Sequence, residues 1–196
     1  MDVIYENLRG KIRFKEIPDS EIIRDVECAK REYPRFDINY VGYMSWTSLI
    51  RAVLWNRKEL VKYILADSNI DVNHKDNDGY TAFYYACWFC GYIPILKLFL
   101  DHRNFDVNIQ TKWGQTGLHS LCYWERETCV RELLLDARIN VLIRDDWRKT
   151  ARDIALERKH IGIANMIKKT GYTPLLRIPN ASLCRDIVRM IIEEYV

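Results

Sequence analysis

Apolar positions recur along this chain in short helical runs that come in pairs. After Thr47 stand Leu49, Ala52 and Val53; after Thr81, Phe83, Ala86 and Cys87; after Thr116, Leu118, Leu121 and Cys122; after Thr150, Ile154 and Ala155. Spacings of three and four place each set on one face of a helix. Past a short turn a second run follows each of them, at 60–65, 93–100, 130–135 and 161–167. The four Thr are 34, 35 and 34 residues apart, and ten residues ahead of each begins Asp37-Ile38-Asn39, Asp71-Val72-Asn73, Asp106-Val107-Asn108 or the degenerate Asn140-Val141-Leu142. A period near 34 with two helices per unit predicts a stack of helical pairs, each burying its apolar faces against its neighbours. Ahead of the first unit, Ser20–Tyr33 carries Ile22, Ile23, Val26 and Ala29 at helical spacing and ends at Pro34. This predicts the outer helix of a degenerate N-terminal unit, with residues 1–18 packed over it as a cap.

Two repeat families share this period, and the residues between the helices separate them. Asp78-Gly79-Tyr80-Thr81 and Trp113-Gly114-Gln115-Thr116 put a Gly at a turn two residues before a helix-capping Thr. The Gly supplies positive φ at a hairpin tip, and the Thr accepts from backbone N–H groups of the first helical turn. Thr116-Gly117-Leu118-His119 matches three of the four places of the ankyrin Thr-Pro-Leu-His motif, and Thr81-Ala82-Phe83-Tyr84 and Thr47-Ser48-Leu49-Ile50 match it more loosely. The chain thus resembles the ankyrin-repeat family. That resemblance implies an all-α solenoid: an N-terminal cap over residues 1–36, about four helical-pair units over 37–172, and a helical tail over 173–196. In the last unit Arg152-Asp153 replaces the Leu-His pair, and Lys159, Lys168 and Lys169 stud its second helix, as expected where an outer face meets water.

Composition changes this picture little. Hydrophobic residues make up 48% and charged residues 29%, enough for a packed core. The formal charge of +3 names no partner, and Arg144, Arg148, Lys149, Arg152, Arg158 and Lys159 alternate with Asp145, Asp146, Asp153 and Glu157, a mixed face rather than a phosphate-binding one. Lys97, Gly91 and Pro94 interrupt the longest apolar stretch, so no bilayer span is expected. Six cysteines in 196 residues are too few for a disulfide scaffold, and the N-terminus lacks a secretory signal pattern, so a reduced cytoplasmic or nuclear monomer is expected.

Chemistry is sparse. Cys87 and Cys90 form a Cys-x-x-Cys, with His119 and Cys122 one repeat on. Cys87 and Cys122 fall at small buried positions of the resembled repeat, and His119 falls on its structural His, so no metal, cofactor or catalytic constellation is expected. Aromatics carry the stronger signal. Positions just after the buried pair of each first helix hold Trp55, Trp88-Phe89 and Tyr123-Trp124, and the hairpins add Trp46, Tyr80, Trp113 and Trp147. On a concave ankyrin surface these would form an aromatic stripe suited to a protein partner, as in an inhibitor that masks a signalling protein. In the tail, Ser182-Leu183-Cys184-Arg185 followed by Val188-Arg189 resembles the SOCS box of ankyrin-repeat ubiquitin-ligase adaptors, with Asn180 where that element has Leu. The resemblance implies elongin C as a partner for Leu183, Cys184 and Val188. The other reading of the tail is a helix sealing the last repeat.

Overall fold

A computed structural model describes residues 2–89 and 93–171. Its helices are α1 (Asp2–Arg13), α2 (Asp19–Glu32), α3 (Ser48–Leu54), α4 (Lys58–Leu65), α5 (Ala82–Trp88), α6 (Ile93–Leu100), α7 (Gly117–Tyr123), α8 (Glu127–Leu133), α9 (Ala151–Glu157) and α10 (Ile161–Gly171). The odd-numbered helices stack on one another in one layer and the even-numbered ones in a second. Extended loops join consecutive pairs, and among the described residues their β-pairing is confined to isolated bridges, Lys75 with Thr81 and Arg144 with Thr150.

Helices of seven or eight residues are too short to hold their form alone, so each must be fixed at its ends and by its neighbours. Thr47, Thr81 and Thr150 cap α3, α5 and α9, their hydroxyls accepting from the N–H groups of Ile50, Tyr84 and Asp153 at 3.3, 3.1 and 3.2 Å. At α7 the imidazole of His119 reaches back, its Nδ1 accepting from the Thr116 N–H at 3.1 Å. At α9 Asp153 does the same work, accepting from the Thr150 N–H at 2.8 Å. The Arg152-Asp153 substitution in the last unit therefore keeps the acceptor that the cap requires.

The Asp-x-Asn repeat has a two-part cause. Asp37, Asp71 and Asp106 each accept from the N–H two residues on, closing a local turn. The Asn then bridges units: Asn39, Asn73 and Asn108 donate to the carbonyls of Asn69, Asn104 and Arg138 at 2.7, 2.8 and 2.9 Å. Their Oδ1 atoms accept from the N–H groups of Asp71, Asp106 and Asn140. Leu142 takes the Asn position in the last unit, and its side chain stands exposed.

Gly79 and Gly114 adopt φ of 79° and 73° at the hairpin tips. A Cβ on Gly79 would lie 2.8 Å from the Lys112 backbone nitrogen, so conformation and close approach of the next hairpin both require Gly there.

In the N-terminal region, where the sequence places the outer helix of a degenerate unit under residues 1–18, both segments are helical. Residues 2–13 form an inner-layer helix that packs on both α2 and α3, while α2 packs on α4. Together α1 and α2 make a further helical pair. Tyr5, Leu8 and Ile12 bury one stripe of α1, and Ile22, Val26 and Ala29 one stripe of α2. The segment that forms α1 lacks the Thr and Gly markers, so comparison of repeats does not mark it as the inner helix of that unit. Its lock is Arg57, whose guanidinium donates to the carbonyls of Ile12 and Ile17 at 3.1 and 2.7 Å, to that of Phe14, and to Asp19 Oδ1 at 3.1 Å.

Candidate concave interface

The exposed faces of α3, α5 and α7, with the hairpins ahead of them, place most of the aromatics singled out from sequence on one surface. Tyr80 is the hub. Its ring lies 4.8, 5.5, 5.5 and 5.4 Å from those of Tyr84, Tyr85, Trp88 and Trp113. Trp88 stacks on Phe89 at 5.5 Å, and Trp46 meets Tyr85 edge-on at 6.1 Å. Trp88 and Tyr80 are half-buried in this cluster, whereas Phe89, Trp113, Tyr123 and Trp124 are between 38% and 45% exposed. Between α5 and α7 the surface opens into a hollow of about 240 Å³, floored by Gln115, His119 and Ser120 and walled by Tyr84, Trp88, Tyr123 and Trp124. Trp147 also stands exposed, on the last hairpin.

Trp55 is not brought into the cluster. Among the described residues its ring pairs with the Arg13 guanidinium of α1, 6.0 Å from the ring centroid, rather than with another aromatic ring.

Tyr84 and Tyr85 were not singled out from sequence because they sit in the buried half of a repeat helix. Tyr84 occupies the motif's His place, and that is the signal that could have marked it. Each puts its hydroxyl to structural use, Tyr84 donating to Gln115 Oε1 at 3.1 Å and Tyr85 to Asp76 Oδ2 at 2.7 Å. Burial raises the pKa of both phenols, so both remain protonated donors. His119 receives the Thr116 N–H on Nδ1, and its Nε2 lies 3.2 Å from the Lys149 carbonyl of the next unit. That pattern requires the neutral Nε2–H tautomer, and burial lowers the pKa accordingly. The ring is a bridge between units, with both nitrogens committed.

The thiols are equally committed to packing. Cys87 and Cys122 are buried, and burial pushes Cys122 up to about 12 and Cys87 well above its ordinary value, so neither is a thiolate at neutral pH. Cys90 lies outside the described residues, as do Leu183, Cys184, Val188 and the rest of 173–196. Among the described residues no group of three His, Cys, Asp or Glu side chains is arranged to hold a metal ion, and no helix is long and apolar enough to cross a membrane.

Comparison with known proteins agrees with this architecture. Residues 24–111 match the family model for ankyrin repeats in three copies. Over 56 residues, 29% of the chain, the sequence is 45% identical to the BCL-6 corepressor-like protein 1 of human, and equally to that of mouse. The chain matches about 3% of the length of those relatives. It carries ankyrin repeats in an all-α solenoid, and such repeats form a protein–protein interaction module.

Proposed function

We propose that the chain binds a partner protein on its concave surface, with Tyr123, Trp124, Phe89 and Trp113 as the exposed contacts and Tyr80, Trp88 and Trp46 as their support. One observation carries this reading: a contiguous aromatic surface around an open hollow, on the side of the solenoid where the hairpins project. Aromatic side chains bring large apolar area at low entropic cost, which is why they dominate binding hot spots. The stacked repeats hold them in place before binding, so little ordering is lost on association. Masking a partner in this way would suit an inhibitor of cellular signalling. The matched relatives are named as corepressor-like proteins, which fits a segment that works by contacting other proteins.

The test is quantitative affinity purification of the tagged full chain from cultured cells beside two variants. Tyr123→Ala/Trp124→Ala should lose the partners that the parent retains, and Lys62→Glu, on an outer-layer helix, should keep them. Equal recovery by all three would reject the concave surface.

A further inference from the structure

The N-terminal end of the concave face carries a second aromatic set, and each of its rings is paired with a guanidinium. Arg9 lies 5.0 Å from the Tyr40 ring centroid, Arg51 5.5 Å from that of Trp46, and Arg13 6.0 Å from that of Trp55. Arg51 and Trp55 are four residues apart at one edge of α3, so they share a face. Among the described residues, one of the three guanidinia is neutralised. Arg9 pairs with Glu6 at 2.5 Å, whereas among the described residues Arg13 and Arg51 make no ion pair. The Arg51 Nε is also buried with no hydrogen-bond partner among them, although buried donors are almost always satisfied. Burial and the neighbouring Arg9 charge both disfavour its charged form, and Glu6 is the acidic group that opposes them.

We propose that Arg13 and Arg51, with Trp46 and Trp55, form a docking site for an acidic peptide segment of the partner protein. An incoming carboxylate would pair with the Arg13 and Arg51 guanidinia and offset the crowding of Arg9 and Arg51, while the indoles beside them contact the apolar part of the peptide. The occupant follows from charge. Farther along the same face Lys149 has Glu157 as its carboxylate partner at 2.8 Å and Arg144 has Asp153 at 3.9 Å, while Arg158 lies over the Tyr123 ring, 3.5 Å from its centroid. Two open guanidinia at one end suit a short acidic stretch. A nucleic acid strand would need a longer basic track. This inference rests on the concave-surface reading and names the chemistry of its ligand.

The probe is a displayed library of random peptides of about twelve residues, panned against the full chain. Recovered peptides should be enriched in Asp and Glu next to an aromatic or aliphatic residue. Their affinity should fall about tenfold in Arg51→Gln and in Arg13→Gln, each folded by circular dichroism, and should weaken as salt rises. Arg13 is solvent-exposed, so its variant serves if Arg51→Gln fails to fold. The inference is overturned if no peptide is recovered, or if recovered peptides lack acidic enrichment or bind both variants as tightly as the parent. Should such peptides still lose binding in Trp124→Ala, the concave-surface reading survives and the acidic site alone fails. Insensitivity to all three variants removes both. Tighter binding of an oligothymidylate than of any acidic peptide, lost in Arg51→Gln, would assign the site to nucleic acid instead.

Discussion

Trp46 donates its indole N–H to the Asp76 carboxylate at 3.1 Å, on the same oxygen that accepts from the Tyr85 hydroxyl at 2.7 Å. One buried carboxylate thus fixes aromatics from two successive units. Its other oxygen accepts from the Asp78 and Tyr80 N–H groups and shapes the hairpin that carries Tyr80.

Asp76→Asn preserves shape but turns an acceptor into a donor facing two donors. It should destabilise the protein by about 2 kcal/mol and disorder the Trp46 environment, read as a lower denaturation midpoint with altered near-UV circular dichroism. An unchanged midpoint would mean that the carboxylate does not organise the aromatics.

Gly117 breaks the motif where Pro is usual, and the structure gives the reason: a Cβ there would lie 2.6 Å from Cε1 of the buried Phe83 ring and 2.9 Å from the Cys87 sulfur. Gly117→Ala should therefore lower stability by about 1–3 kcal/mol from overpacking, although Ala is intrinsically the better helix former. Phe83→Leu in the same chain should recover part of the loss. A Gly117→Ala variant more stable than the parent would show that propensity outweighs the contact.

His119 makes stability depend on pH. Its pKa is lowered in the folded chain by burial, while the unfolded value is near 6.5. The unfolded state binds the proton more readily, so this contribution is fully present above about pH 6.5 and is lost as pH falls toward the folded pKa, by at most about 1.4 kcal/mol per unit. Urea midpoints for the parent and His119→Asn should converge between about pH 7.5 and pH 5. Parallel pH profiles would place the acid sensitivity elsewhere, with His102, also lowered by burial, the next group to test.

The parts of this fold legible in the sequence are those where one backbone hydrogen bond demands one residue type. Asn39, Asn73 and Asn108 each need a side chain that both donates and accepts, and Thr47 and Thr81 each need a short acceptor at a helix start, so both signals survive from unit to unit. That α1 is the inner helix of the degenerate N-terminal unit was not legible, because its anchoring comes from Arg57, a residue in the next unit reaching back to loop carbonyls. At the candidate interface the phase of Phe89, Tyr123 and Trp124 follows from helical geometry alone. How far Tyr80 and Trp88 tuck inward, and that Trp55 pairs with Arg13, depends on neighbours that the repeat pattern does not specify.

Arg57→Met should detach the N-terminal pair. The substitution leaves the Ile12, Phe14 and Ile17 carbonyls and the Asp19 carboxylate without their shared donor, a loss of about 3 kcal/mol or more. Hydrogen exchange should quicken in α1 and α2 and stay slow in α7 and α8. Uniform quickening along the chain would instead mean that the solenoid unfolds as one unit.

The concave interface is tested most directly by site-specific photocrosslinking in cells, with a benzoylphenylalanine replacing Trp124 in one version of the full chain and Lys62 in another. Crosslinks to a common protein from position 124, and none to it from position 62, are expected. Crosslinking of that protein from position 62 alone would place the partner on the outer-layer side and contradict the aromatic surface as the binding face.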